Sequence, residues 1–344
     1  MIKGIKVSEI LWALSLIIFS LGFAFSASAY FEKGLIFEQS PEIPSSHAST
    51  IVQLPDGDML CAWYSGKQEG AKDVAEWASR FERKTGRWYR PYVLVDTPKL
   101  PEGNPVLFVA PDQKVFLYYA TMEGPGWTSS SIKYMVSDDN ARNFSPFQFF
   151  RKQWGWLPRN HLLTLCSGQI LFPLYNETLS RSEFMISKDQ GITWERAGQI
   201  VSRPGNIQPA VVEFDDGTLM ALMRTTGKDG KIWQSYSKDK GKTWSKAEQT
   251  TLPNPNAGID LIRLKSGELA LAFNNSGQKR TPLSIALSQD QGKTWPIIKD
   301  IETDDAEFSY PSLCQDQDGK IWLTYTWRRK AIGYAVFDLQ WLEK

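Results

Sequence analysis

Six times along the chain, an apolar run, a tight polar turn and a second apolar run follow one another. The turns are Pro55-Asp56-Gly57, Pro111-Asp112-Gln113, Cys166-Ser167-Gly168, Asp215-Asp216-Gly217, Lys265-Ser266-Gly267 and Gln317-Asp318-Gly319. Their flanks, such as Pro209-Ala210-Val211-Val212-Glu213-Phe214 and Thr218-Leu219-Met220-Ala221-Leu222-Met223, have the length of strands and are mostly apolar. Such runs suit β-hairpins whose two faces are both covered by neighbouring sheets. Six hairpins at a spacing of about 50 residues predict an all-β chain folded as a six-bladed β-propeller.

A second pattern keeps the same period. The octet S-x-D-x-G-x-T-W occurs at Ser187 to Trp194, Ser237 to Trp244 and Ser288 to Trp295, with starts 50 and 51 residues apart. A decayed copy runs from Ser137 to Phe144, and a weaker echo from Ser79 to Trp88. Ser and Asp can hydrogen-bond a tight turn, Gly supplies a backbone conformation other residues resist, and Trp packs into the blade. The octet is therefore read as structural, with no chemistry assigned to it.

Composition narrows the function. The 39 basic and 38 acidic residues nearly cancel and form no long cluster of either sign, which argues against nucleic acid or an anionic membrane surface as partner. Aromatic residues make up 13% of the chain, 14 of them Trp, enough for blade packing and for sugar-stacking surfaces. Lys3 and Lys6, the apolar run Ile10 to Phe25, and Ala27-Ser28-Ala29 follow in the order of a secretory signal. Residues 1–29 are thus read as a cleaved signal, with an uncleaved anchor as the alternative, and residues 30–344 as one secreted or periplasmic propeller without membrane insertion. Cys61, Cys166 and Cys314 all fall in hairpins and are expected to be buried filler rather than a disulfide framework. No metal-ligand spacing, phosphate loop or nucleophile elbow is present, so no metal or cofactor is expected.

The repeated octet resembles the Asp-box, or BNR repeat, of the sialidase superfamily, and the resemblance covers essentially the whole chain after residue 29. It implies an exo-α-sialidase-like glycoside hydrolase that acts on a glycan with retention of configuration. Its nucleophile is a Tyr paired with a Glu, its acid/base an Asp, and three Arg clamp the substrate carboxylate. A neutral phenol is a sensible nucleophile there, because a carboxylate would be repelled by an anionic sugar.

Carried over residue by residue, Tyr310, in Glu307-Phe308-Ser309-Tyr310-Pro311-Ser312-Leu313, looks like the nucleophile. Glu213 looks like its activating Glu; a charged residue closing an inward-pointing apolar strand also needs a partner on general grounds. Arg224, thirteen residues ahead of an Asp-box, and Arg280 resemble two members of the clamp. Among the carboxylates of the first-blade loop, Asp73 is the first choice for the acid/base and Glu69 the second.

The chain departs from the family at the start of the first blade. Where sialidases carry the first clamp Arg in an Arg-Ile-Pro segment, this chain has Pro44-Ser45-Ser46-His47-Ala48-Ser49-Thr50. Arg328 or Arg329 could replace the missing arm from the closing blade. His47 and His161, the chain's two histidines, both fall where an inner strand begins, and histidine is a residue type suited to acid/base chemistry or to holding a uronate. Asn104 and Asn160 recur at strand starts, where an amide can bind a sugar hydroxyl or merely shape a turn. Two other readings stay open: a hydrolase or lyase acting on a uronic-acid glycan with histidine assistance, and a propeller that binds glycans without turning them over.

Overall fold

The computed structural model describes residues 1, 28–228 and 230–344. The expected signal segment lies almost wholly outside these described residues. From Phe31 onward the chain forms six antiparallel sheets. Among the described residues no helix is long and apolar enough to cross a membrane.

Each sheet is one blade, and successive strands run from the axis outward. The inner strands are Ser45–Gln53, Glu102–Val109, Trp156–Pro158 with Leu163–Thr164, Asn206–Glu213, Asp260–Arg263 and Phe308–Gln315. All six predicted turns join an inner strand to the second strand of its blade. The ring is closed by the chain's two ends, since Phe31–Leu35 pairs antiparallel with Ala331–Phe337 as the outer strand of the sixth blade. A short C-terminal helix, Leu339–Glu343, is capped by Asp338 and sets Trp341 on Phe31 with ring centroids 4.3 Å apart.

The Asp-boxes show why the period is a packing period. In the third blade Ser187 Oγ donates to Asp189 Oδ1 (2.8 Å), accepts the Gly191 amide (2.8 Å), and Asp189 takes the Thr193 amide (2.8 Å). Gly191, at φ 88, occupies the left-handed region that favours glycine. The same bonds recur at Ser237 and Ser288.

These turns aim each tryptophan back into the preceding blade. Trp194 packs on Phe150 of the second blade, Trp244 stacks on Phe184 of the third (4.5 Å), and Trp295 joins the core between the fourth and fifth. The decayed copy keeps the geometry, with Asn143 in the Thr position, Ala141 in the Gly position at φ 57 and Phe144 as the wedge against the first blade. The echo at Ser79 does not form the motif: Ser79 sits within the strand Ala75–Glu82 and donates to the Tyr89 carbonyl. Each wedge covers apolar area at a blade interface, worth about 1.5–3 kcal/mol per large buried side chain.

The three cysteines are unpaired, and Cys61 is buried as expected. Cys314 is half-buried and Cys166 is exposed, because it opens a hairpin turn at the rim of the ring.

Candidate active site

Four inner strands share an irregularity near their start. The register with the second strand slips between His47 and Thr50, Gly103 and Val106, Ile207 and Ala210, and Ser309 and Ser312. At each bulge one non-glycine residue takes positive φ: Ala48 (56°), Asn104 (50°), Gln208 (55°) and Tyr310 (52°). An extra residue held this way re-aims its side chain out of the strand's alternation, a device that concentrates at functional sites. Asn104, Gln208 and Tyr310 thereby enter one cavity of about 280 Å³ on the propeller axis, while Ala48 is buried against Tyr64 and Tyr310. Gly103 lets the Trp127 indole lie against the strand, since a Cβ there would overlap the ring.

Arginines from three successive blades form one side of the cavity. Arg224 donates through Nη1 to Tyr310 Oη (2.7 Å) and Gln208 Oε1 (3.2 Å), and through Nε to Asn256 Oδ1 (2.7 Å). Glu307 holds the other two: its Oε1 accepts from Arg280 Nη1 (2.8 Å) and its Oε2 from Arg329 Nε (2.9 Å). Burial would raise the Glu307 carboxyl, but hydrogen bonds from Arg329 and Ser309 and the charge of Arg280 bring it below the usual value. Arg329 Nη1 continues to Glu69 Oε2 (2.6 Å), whose Oε1 accepts the Trp127 indole N–H (2.9 Å). The planar forks are thus fixed before any anion arrives, the arrangement that suits bidentate binding of a carboxylate.

Tyr310 lies among these cations. Burial pushes its phenol up, but Arg224 and Arg280 outweigh burial, so the net shift is below the ordinary tyrosine value. Beneath it are two buried groups. His47 packs on the Tyr310 ring (centroids 4.3 Å) and its Nδ1 shares a hydrogen bond with Thr326 Oγ1 (2.9 Å). Burial and the surrounding arginines, Arg329 foremost, hold this imidazole neutral. Arg159 interrupts the inner strand of the third blade, donates to the Ser49 and Pro311 carbonyls (3.1 and 3.0 Å), and places its guanidinium 5.2 Å from the Tyr310 ring centre.

Of the residues expected from the sequence, Tyr310, Arg224, Arg280, Arg329, Glu69 and Asn104 line this cavity together. Asn104 donates to Tyr175 Oη (3.1 Å). Others do not reach it. Glu213 is five residues beyond Gln208 on one strand, roughly 16 Å away at the usual rise per residue, and its carboxylate accepts the Cys166 amide (2.7 Å) at the opposite mouth of the channel. The group beside Tyr310 is instead Gln208, which corrects the expected Tyr–Glu pair.

His161 also belongs to the opposite mouth, where Nε2 meets Asp260 Oδ2 (2.8 Å) in a separate cavity of about 480 Å³. Arg328 pairs with Asp304 and lies against Trp327 and Phe308, so its neighbour Arg329 is the arm that enters the site. Asp73 is exposed and accepts the Lys67 amide (3.3 Å). Asn160 is buried and supports the site indirectly, donating to the Gln208 carbonyl (2.9 Å). His47, buried and neutral, packs behind Tyr310 rather than lining the cavity.

Sequence reasoning missed Gln208, Glu177, Trp127, Tyr175 and Arg159. For Gln208 a signal existed: Asn104, Gln208 and Tyr310 each directly precede a proline, at the same point of three blades. Glu177 follows the strand Ile170–Asn176 and has no comparable mark.

Fold and site together define a six-bladed propeller with three arginines converging on a cavity at its axis. Residues 57–323 match the BNR repeat-like domain family, and the chain belongs to that family. It is similar to a sialidase of Micromonospora viridifaciens, 30% identical over 166 residues, which are 45% of this chain and 25% of that protein. The match therefore spans a quarter of that relative's length. Among solved structures, the NanB sialidase of Streptococcus pneumoniae superposes with a TM-score of 0.76 at 13% identity, covering 90% of this chain and 71% of that one. An α-L-arabinanase of Penicillium chrysogenum gives 0.67 at 12%, covering 92% and 100%. At these identities the structural likeness is one of fold.

Proposed function

We propose that this protein is a glycoside hydrolase that releases a terminal acidic sugar from a glycan with retention of configuration. The observation that carries the reading is the convergence of Arg224, Arg280 and Arg329 on one cavity floored by Tyr310. The arginines hold the sugar carboxylate. They also favour the phenolate of Tyr310, which supplies the activation expected of a Glu where this chain has Gln208. Tyr310 Oη attacks the anomeric carbon, the glycosidic bond breaks, and water then displaces the phenolate from the glycosyl intermediate. The mature chain acts outside the cytoplasm if its first residues serve as the secretory signal they resemble.

Two features favour an acidic sugar other than sialic acid as the alternative substrate: neutral His47 stands in place of the first clamp arginine, and Gln208 in place of the Glu. The test is sugar release from a panel of sialylated and uronic-acid glycans, comparing the wild type with Tyr310→Phe. Release of sialic acid that the variant loses supports the sialidase form, and release from uronic-acid glycans alone supports the alternative. Binding by both proteins with no product from either would replace the enzyme by a glycan-binding propeller.

A further inference from the structure

We propose that Glu177, at the end of the second strand of the third blade, is the proton donor to the leaving group. This inference rests on the glycosidase reading above and deepens it.

Among the described residues, Glu69 and Glu177 line the cavity and Glu307 stands behind its arginines. Glu69 has one oxygen on the Trp127 indole and the other on Arg329. Glu307 has Arg280 and Ser309 on one oxygen and Arg329 on the other. Every oxygen of these two thus already accepts a donor, and both carboxylates are paired with Arg329. Glu177 lines the same cavity as Tyr310 and Arg224, and no described residue donates a hydrogen bond to its side chain.

Its position is fixed by the backbone. The Glu177 amide donates to the Gly155 carbonyl (2.8 Å), and Asn176 Oδ1 accepts the Leu179 amide (2.8 Å), pinning the loop on both sides. Burial pushes the Glu177 carboxyl up against the opposing pull of Arg224, so it keeps its proton to higher pH than an ordinary glutamate. A general acid needs this protonation state.

The adjacent surface fits a departing sugar. Trp154, next to Gly155, is 51% exposed, and its indole N–H is held by Glu123 Oε2 (3.3 Å). Exposed, anchored and carried by the residue before Gly155, whose carbonyl holds the Glu177 amide, this indole offers a stacking face for the leaving sugar ring.

The protons balance. As the Tyr310 phenolate bonds to the anomeric carbon and the glycosidic C–O bond breaks, Glu177 gives its proton to the leaving oxygen and the sugar departs as a neutral alcohol. In the second step the Glu177 carboxylate takes a proton from the attacking water, the hydroxide oxygen bonds to the anomeric carbon, and Tyr310 leaves as phenolate.

The test compares wild type, Glu177→Gln, Glu177→Asp and Glu69→Gln on two kinds of substrate: sugar-linked sialosides and uronosides, and aryl glycosides of the same acids whose phenols leave without protonation. Glu177→Gln is expected to lose a factor of about 10²–10⁴ on the sugar-linked substrates. It should retain aryl-glycoside turnover within about tenfold and lose the alkaline limb of the pH profile, with partial recovery in Glu177→Asp. Equal loss on both kinds with the alkaline limb intact, or a leaving-group-dependent loss in Glu69→Gln instead, overturns the assignment while leaving the glycosidase reading standing. A wild type silent on every substrate overturns both.

Discussion

Replacing Arg224 by Lys keeps a positive charge beside Tyr310 and removes the fork. In the native pocket one guanidinium reaches Tyr310 Oη at 2.7 Å, Gln208 Oε1 at 3.2 Å and Asn256 Oδ1 at 2.7 Å. An ammonium is a point donor on a flexible stem and cannot satisfy this spread while also meeting a carboxylate. Charge-assisted hydrogen bonds contribute about 1.5–3 kcal/mol each. Losing the second bond to the substrate carboxylate and the anchor to Asn256 therefore removes roughly 3–6 kcal/mol of transition-state binding, or a factor of about 10²–10⁴ in kcat/KM. Steady-state kinetics on whichever acidic glycoside the wild type turns over gives that ratio. Thermal unfolding serves as the control: Arg224 is half-buried, so Tm should move by only a few degrees. A variant within about tenfold of wild type would show that the fork is not used, and a collapse of Tm in parallel with activity would make Arg224 a structural residue.

A second prediction concerns stability. Among the described residues, both oxygens of buried Glu76 lack a hydrogen-bond partner, as do Glu102 Oε1 and the Tyr119 hydroxyl. Burial, then the proximity of Glu102, raises the Glu76 carboxyl well above its ordinary 4.5. Its contribution is thus fully present below that ordinary value and is lost as pH rises through the folded value. Glu76→Gln, tested by denaturant unfolding across pH, should match wild type in acid and exceed it in mildly alkaline buffer, by about 1–3 kcal/mol. A variant less stable than wild type at high pH would refute this. Trp63, fully buried and stacked on Phe37 at 5.2 Å, should cost about 3–5 kcal/mol as Trp63→Ala and leave the kinetics of the remaining folded protein unchanged.

The fold was legible because its devices are local and repeat. Every hairpin turn falls where apolar runs and turn residues put it, and the Asp-box carries its own hydrogen bonds within eight residues. Tyr310 was legible through the segment around it, and Arg224 and Arg280 through their position ahead of those boxes. Glu213 misled because a charge at the end of an apolar strand fits either mouth of the channel, and only the ring shows which end Tyr310 occupies. Arg328 and Arg329 are adjacent with similar left-handed backbone, φ 53 and 54, so sequence alone does not decide which turns inward. Glu177 was illegible for a related reason: it belongs to the site because the Gly155 carbonyl fixes its loop across the blade, a contact with no sequence signature.

The assembled pocket is polarised around the ring, and this orients any substrate. Arg224, Arg280 and Arg329 come from the fourth, fifth and sixth blades, whereas Glu69, Asn104 and Glu177 come from the first three. A sugar whose carboxylate meets the arginines presents its other substituents to the first three blades, where the indoles of Trp127 and Trp154 also lie. Under the proposed function, binding of the acid group and choice of aglycone fall to separate halves of the propeller. The arginine half is locked by Glu307 and by the strained backbone of Tyr310, so changes there disturb several contacts at once. Apart from the first-blade loop, whose Glu69 pairs with Arg329, the loops of the first three blades make no hydrogen bond to the clamp arginines among the described residues, and differences in glycan preference between propellers of this design are expected to arise there.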